Sequence, residues 1–323
     1  MNYIQQAYKG ENKWYLYLAT FFIVVIAWQI IGSIPLLVAG VLHSQDPNEF
    51  YKAANENFLN LGINKNLFLF LMILMFIFGL IALRFCIKYI HKRSFKTLIT
   101  SRDTIDWRRF WFAFILWGAI AGVFIGVGIV MSPEDYVWNF KPVPFFTLAL
   151  ISFVFLPFQT SFEELLFRGY LMQGIGVAAK NRWLPLIITS IIFGLLHGAN
   201  PEVAKLGYIS MVFYIGTGLF FGMVTLLDEG TELALGLHAI NNIIAAIAVT
   251  TDWTVFQTDA LFIDTSEPSV GMEMFLPVFV LYPLMLLILS KKYGWKNWRD
   301  KLVGKVKEVN PMNEVEGIDS VQF

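Results

Sequence analysis

Thiol chemistry is almost absent from this chain: 323 residues include one cysteine, Cys86. That excludes an internal disulfide and any multi-cysteine zinc cage, and its place in an apolar run marks a buried structural thiol. Charge is scarce as well. Only 15% of residues are charged against 57% hydrophobic, with a mean hydropathy of +0.61, which lies outside the range of soluble domains. Lysine plus arginine and aspartate plus glutamate both total 24, so no overall charge draws the chain to nucleic acid. There is no internal repeat of the kind that builds inverted-repeat transporters, and no low-complexity linker. No connection is long enough to fold alone. Gly216 and Gly218 lack the preceding strand and following lysine of a phosphate loop, and the zinc-protease pattern HExxH does not occur.

What remains is long apolar runs. A bilayer core needs roughly 20 apolar residues per helix, and candidates lie near 15–42, 67–90, 110–131, 145–175, 183–199, 204–227, 232–249 and 272–290. The expected fold is an all-α polytopic membrane protein of about eight transmembrane helices, a single transmembrane domain over 1–323. The first run is too long for a signal-peptide core and lacks a small-residue cleavage pattern, so it reads as a retained span.

Basic residues set the orientation. Lys92, Arg93, Lys96, Arg102, Arg108 and Arg109 crowd one connection, Lys180 and Arg182 mark a turn, and a basic tail runs over 291–323. Both termini are expected in the cytoplasm. The short acidic connection at 228–232 is the exception. The tail's WKNWRDKLVGKVK fits either contact with an anionic leaflet or ordinary stop-transfer charge. Gly118, Gly122 and Gly126, with Gly218 and Gly222, offer smooth helix faces for packing.

Against this background the stretch EELLFR, 163–168, stands out. A carboxylate at mid-bilayer costs at least about 2.5–3.5 kcal/mol on insertion scales, so such a group faces a protein interior or a wet cavity. Glu164 and Arg168 are four apart, on one helical face, and can pair. Glu163 points about 100° away and keeps its carboxylate for other work.

The four histidines divide evenly. His43 and His91 fall in connections, where a solvated imidazole needs no special account. His197 and His238 lie inside or at the edge of apolar spans, and together with the glutamates they suggest a functional site. If spans four and five form an antiparallel hairpin, Glu163 and His197 are equidistant from the Lys180-Asn181-Arg182 turn and face each other. Asn242 lies one turn from His238 on the same face. The depths of Glu163 and His238 disagree: at 1.5 Å per residue Glu163 is about 25 Å from its turn and His238 about 9 Å from Glu232. Either the 170–182 segment protrudes or folds back, or the boundary of span seven is misplaced.

Two chemistries use these groups. Carboxylate and imidazole can hold Zn²⁺ with a water at its open position. Alternatively, Glu163 with His197 can activate water while His238 and Asn242 donate to the oxyanion of an attacked carbonyl. Both end in amide hydrolysis, and no serine or cysteine nucleophile with a fitting base is evident.

These residues resemble the CAAX prenyl endopeptidase and bacteriocin-processing family of intramembrane proteases, also called CPBP or Abi. Its pattern, EExxxR, FxxxH and HxxxN on successive membrane helices, is met by Glu163-Glu164 with Arg168, Phe193 with His197, and His238 with Asn242. The resemblance spans about 150–250, and gives a protease-like core at about 145–250. It implies an endopeptidase opening toward the cytoplasmic side. Glu163 with His197 would activate water, His238 and Asn242 would hold the oxyanion or help bind a metal, and Glu164 with Arg168 would support them. Zinc or metal-free glutamate chemistry stays open. The implied partners are the bilayer and a membrane-associated peptide or protein substrate, with no nucleic acid, in the plasma membrane of a prokaryote. A proton-coupled transporter and a non-catalytic adaptor or immunity protein are the alternatives.

Overall fold

The computed structural model describes residues 1–309 apart from 56, 57, 59 and 60. The end of the tail, from 310 onward, lies outside the described residues. Six helices are long and apolar enough to cross a membrane: α1 Trp14–His43, α2 Lys65–Tyr89, α3 Trp107–Met131, α4 Pro142–Ala179, α6 Tyr208–Asp228 and α8 Met274–Tyr293. Two shorter apolar helices complete the bundle, α5 Trp183–Ala199 and α7 Glu232–Ile247. The eight apolar runs of the sequence thus all become helices, but two fall short of a full crossing.

Local chemistry sets the ends. The Asn64 side chain accepts from the backbone N–H groups of Asn66 and Leu67 at the start of α2, and Asp106 accepts from that of Arg108 at the start of α3. Both satisfy orphan donors of a first turn. Pro142 opens α4, where its missing N–H has no partner to lose. Lys180 closes α4 and Glu229 closes α6 in the left-handed conformation, with φ of 55° and 56°.

The core forms where α7 is enclosed by α3 and α4 on two sides and approached by α6. Gly236 permits this closeness: a Cβ there would collide with the Phe110 carbonyl of α3. Gly218 and Gly222 similarly let α6 lie against Ser190 and Leu186 of α5. In the Gly118, Gly122 and Gly126 series, only Gly118 meets a neighbour, Ile240; the other two face open space. The packing reading therefore holds for one of the three.

α4 resolves the depth conflict. It has 38 residues, about 57 Å at 1.5 Å per residue, nearly twice a hydrocarbon core of about 30 Å. Its far end, Met172–Ala179, is buried in a cluster with Leu186 of α5 and Leu226 of α6 and is covered by the turn Ile4–Lys9, with Ile4 seated against Gly176. Glu163 is thus deep in the chain's count yet level with His238.

The first residues of the chain and the tail as far as Lys307 lie at this same end. Gln5 Nε2 donates to the Lys307 carbonyl, and Val306 N–H to that of Lys180. The tail is therefore packed against protein as far as 306. Trp295 is buried and donates to Asp228, and Lys301 donates to the Leu227 carbonyl.

The acidic 228–232 turn sits here too. Asp228 pairs with Arg102 at 2.8 Å and with Arg109, Glu232 with Arg102 at 3.1 Å, and Glu229 with Arg182 at 2.9 Å. Its negative charge is matched by the basic connections around it, which is why it departs from the charge pattern of the other connections. His91 departs from its expected solvated state. It is fully buried, donating Nδ1–H to the Glu11 carbonyl at 2.7 Å, with Nε2 2.9 Å from the Tyr170 hydroxyl. Burial holds its pKa below the ordinary imidazole value. Cys86 is buried and free.

At the opposite end three short strands cap the bundle: β1 Tyr136–Trp138, β2 Val249–Thr250 and β3 Phe262–Asp264, in the order β1-β3-β2. β1 pairs antiparallel with β3 from Tyr136 opposite Asp264, and β2 runs parallel to β3.

Candidate active site

α4 brings two carboxylates and a guanidinium inward, and a distortion in its backbone fixes their relation. The helix is α-helical to Glu164, then passes into a π-helical stretch at Leu165–Leu171. Such wide turns recur at functional sites. Arg168 lies within it, and its Nη1 is 2.9 Å from Glu164 Oε1 while Nη2 donates to the Gly218 carbonyl at 3.0 Å. The guanidinium lies 4.2 Å from the centroid of the Phe193 ring, a cation–π contact across to α5. The expected Glu164–Arg168 pair is present, and fully buried.

His238 reaches in from α7. Its Nδ1–H donates to Glu164 Oε1 at 2.8 Å, and its Nε2 lies 3.5 Å from Glu163 Oε2. The ring stacks on Phe221, with centroids 5.0 Å apart. Imidazole thus stands between the two carboxylates, oriented by the inner one and presented to the outer one.

Glu163 is less free than the sequence suggests. Gln159, one turn earlier on α4, donates Nε2–H to Glu163 Oε1 at 3.0 Å. Oε2 is buried with no hydrogen-bond partner among the described residues beyond the approach of His238. Asn242 Nδ2 lies 3.3 Å from Gln159 Oε1, so Gln159 ties Glu163 to Asn242.

Between Glu163 and His197 the described residues show no direct hydrogen bond. α5 ends at Leu196 and tightens into a 3₁₀ turn at His197–Ala199. His197 donates Nδ1–H to the Phe193 carbonyl at 2.8 Å and stacks on Tyr214 of α6 at 4.5 Å. This tautomer leaves Nε2 with a bare lone pair. Phe193 lies between the two histidines, with centroids 4.8 Å from His197 and 6.0 Å from His238. The imidazole in contact with Glu163 is that of His238.

Burial sorts the residues into two sides. Glu163, Glu164, Arg168 and His238 are buried; His197, Asn242, Gln159 and Tyr214 are half-buried. Sequence reasoning missed Gln159, whose signal was its spacing four residues before Glu163. It also missed Tyr214, and Glu202, which accepts from the Tyr214 hydroxyl and from Asn200 Nδ2 at 3.1 Å. Nothing in the sequence ties those residues to the three motifs.

A catalytic zinc takes three protein ligands and keeps one position open. Glu163 Oε2 and His238 Nε2 converge, with His238 Nδ1–H held by Glu164 as in a ligand imidazole, but among the described residues no group of three His, Cys, Asp or Glu stands together. The two converging donors are one short of the three protein ligands that a catalytic zinc takes. Carboxylate and imidazole acting on water would need only these two groups.

The comparisons bear on the same helices. No solved structure matches significantly. The chain is 29% identical over 259 residues to an uncharacterized protein, YyaK, of Bacillus subtilis (strain 168), covering 79% of this chain and 85% of that one. Residues 142–244 match the family model described as type II CAAX prenyl endopeptidase Rce1-like. That match begins at the first residue of α4 and ends within α7, three residues before its last. The helices that carry the buried cluster are thus the part of the chain that is similar to Rce1-like CAAX prenyl endopeptidases.

Proposed function

We propose that this protein is an intramembrane endopeptidase that hydrolyses a peptide bond of a membrane-associated peptide or protein. The observation that carries the proposal is the buried Glu163 Oε2, which has no hydrogen-bond partner among the described residues and faces His238 Nε2 at 3.5 Å. An unpaired carboxylate oxygen in such a place is costly, and general-base work gives it a use. The Rce1-like match over the same helices supports the reaction class.

In this reading water enters between Glu163 and the half-buried side that holds His197. Glu163 takes its proton as the water oxygen bonds to the substrate carbonyl carbon. Negative charge then develops on the carbonyl oxygen, where the second N–H of Asn242 can donate, while His238, its Nδ1–H given to Glu164, accepts from the water at its bare Nε2. Collapse breaks the C–N bond, and the proton held by Glu163 passes to the leaving amine. His197 orients the attacking water through its bare Nε2. Glu164 and Arg168 hold His238 in its tautomer and do not touch the substrate.

Two short helices supply the water. α5 and α7, the carriers of His197 and His238, span 17 and 16 residues, about 24–26 Å, and so leave polar ends below the headgroup level. We place the chain-terminal end, where the arginines gather, in the cytoplasm of a prokaryotic cell with the bundle in its plasma membrane.

The test uses purified full-length protein and a pool of quenched-fluorescent lipid-anchored peptides, with wild type beside Glu163→Ala and His238→Ala. Cleavage by wild type and none by either folded variant is expected. Metal content of the same preparations, and rates with and without chelator, test the water route: a chelator-sensitive rate with stoichiometric metal overturns it. Wild-type protein that cleaves nothing in the pool counts against the endopeptidase reading.

A further inference from the structure

Five side chains from three helices form an unbroken file of hydrogen bonds that ends on Glu163. Trp117 of α3 donates its indole Nε1–H to Asn241 Oδ1 at 3.2 Å. Asn241 Nδ2 donates to Asn242 Oδ1 at 3.3 Å, and Asn242 Nδ2 to Gln159 Oε1 at 3.3 Å. Gln159 Nε2 then donates to Glu163 Oε1 at 3.0 Å.

The two ends fix the direction of everything between them. An indole N–H only donates, and an ionised carboxylate only accepts. Turning any one of the three amides around would set donor against donor on one side and acceptor against acceptor on the other. The file therefore has a single low-energy polarity, running from Trp117 toward Glu163. A fully satisfied polar network of this kind rigidifies the groups it joins.

Building on the endopeptidase reading, we propose that Gln159 is a positioning residue that locks Glu163 and Asn242 into one fixed relation, with Trp117 and Asn241 setting the file's direction. Two consequences follow for the reaction. Glu163 Oε1 is occupied, so proton abstraction falls to Oε2. One N–H of Asn242 is committed to Gln159, so the other alone is aimed at the substrate. The general base and the oxyanion donor sit on different helices, α4 and α7, and their separation must hold closely for catalysis; Gln159 is the side chain that spans it.

The experiment compares wild type, Gln159→Leu, Gln159→Glu, Glu163→Gln and the double exchange Gln159→Glu with Glu163→Gln, each full length in detergent. Thermal unfolding is the first readout. Gln159→Glu sets acceptor against acceptor and should lower the midpoint more than Gln159→Leu. The double exchange restores a donor–acceptor pair, now with residue 163 donating, and should recover most of the loss while remaining inactive. Hydrolysis of the lipid-anchored peptide pool is the second. Gln159→Leu should lose about ten- to a hundredfold in kcat with KM within about twofold, as expected of lost alignment without lost binding.

A double exchange no more stable than Gln159→Glu alone overturns the proposal, and so does Gln159→Leu with kcat within about twofold of wild type. If wild type itself cleaves nothing, the endopeptidase reading fails, while the thermal exchange still decides whether the polarised file exists.

Discussion

Arg168 Nη1 lies 2.9 Å from Glu164 Oε1, and neither side chain has any exposed surface. A buried ion pair is weak evidence for net stability, yet removing one partner leaves the other charge stranded, at a cost of about 3–5 kcal/mol. Arg168→Ala should therefore reduce the folded yield and the unfolding midpoint sharply. Adding Glu164→Gln should return part of the loss. A folded, fully stable and inactive Arg168→Ala protein would show that the guanidinium serves the chemistry more than the fold.

Glu163→Gln separates catalysis from architecture. The replacement keeps a carbonyl oxygen able to accept from Gln159 and preserves volume, so the midpoint should stay within a few degrees of wild type. Turnover should drop by at least about two orders of magnitude, the scale of a lost general base. Single-turnover assays on the purified variant check this, and retained turnover would remove Glu163 from that role.

His91 gives the fold a pH dependence of known sign. Burial depresses its pKa in the folded protein below the ordinary 6.5, so between that value and the folded pKa the unfolded chain binds a proton that the native one does not. Stability is complete above pH of about 6.5 and falls as pH drops through this window. Unfolding midpoints between pH 8 and about 5 should show the decline, and His91→Gln should flatten it.

Gly236 lies two residues before His238 at the closest approach of α7 to α3. Gly236→Ala should push the Phe110 carbonyl away, because a rigid backbone atom cannot yield as a flexible side chain does. We expect lost stability together with lost turnover, as His238 moves from Glu164. Activity equal to wild type would mean that the two helices separate without disturbing the imidazole.

Much of this was legible in the sequence. Each of the eight apolar runs is a helix, since lipid leaves the backbone no other way to satisfy its hydrogen bonds within a single segment. The Glu164–Arg168 pair followed from helical spacing alone. His91 was misread because its neighbours are basic and polar, while the residues that bury it, Glu11 and Tyr170, come from distant parts of the chain. The contact of Glu163 with His238 was not foreseen for a related reason. A hairpin argument fixes depth but not rotation about the helix axis, and the π-helical turn after Glu164 changes that rotation in a way no propensity announces. Gln159 was passed over because an amide is chemically mute until its partners are known.

The cover over the far end of α4 bears on how the chain assembles. Tyr3 donates its backbone N–H to Glu229 and its hydroxyl to the Leu98 carbonyl, and Gln173 Nε2 donates to the Tyr3 carbonyl at 3.2 Å. Residues that precede α1 thus bind groups that the ribosome adds some 226 positions later. That latch can close only after six of the helices have been threaded into the bilayer, so sealing this mouth of the bundle is among the last acts of biogenesis.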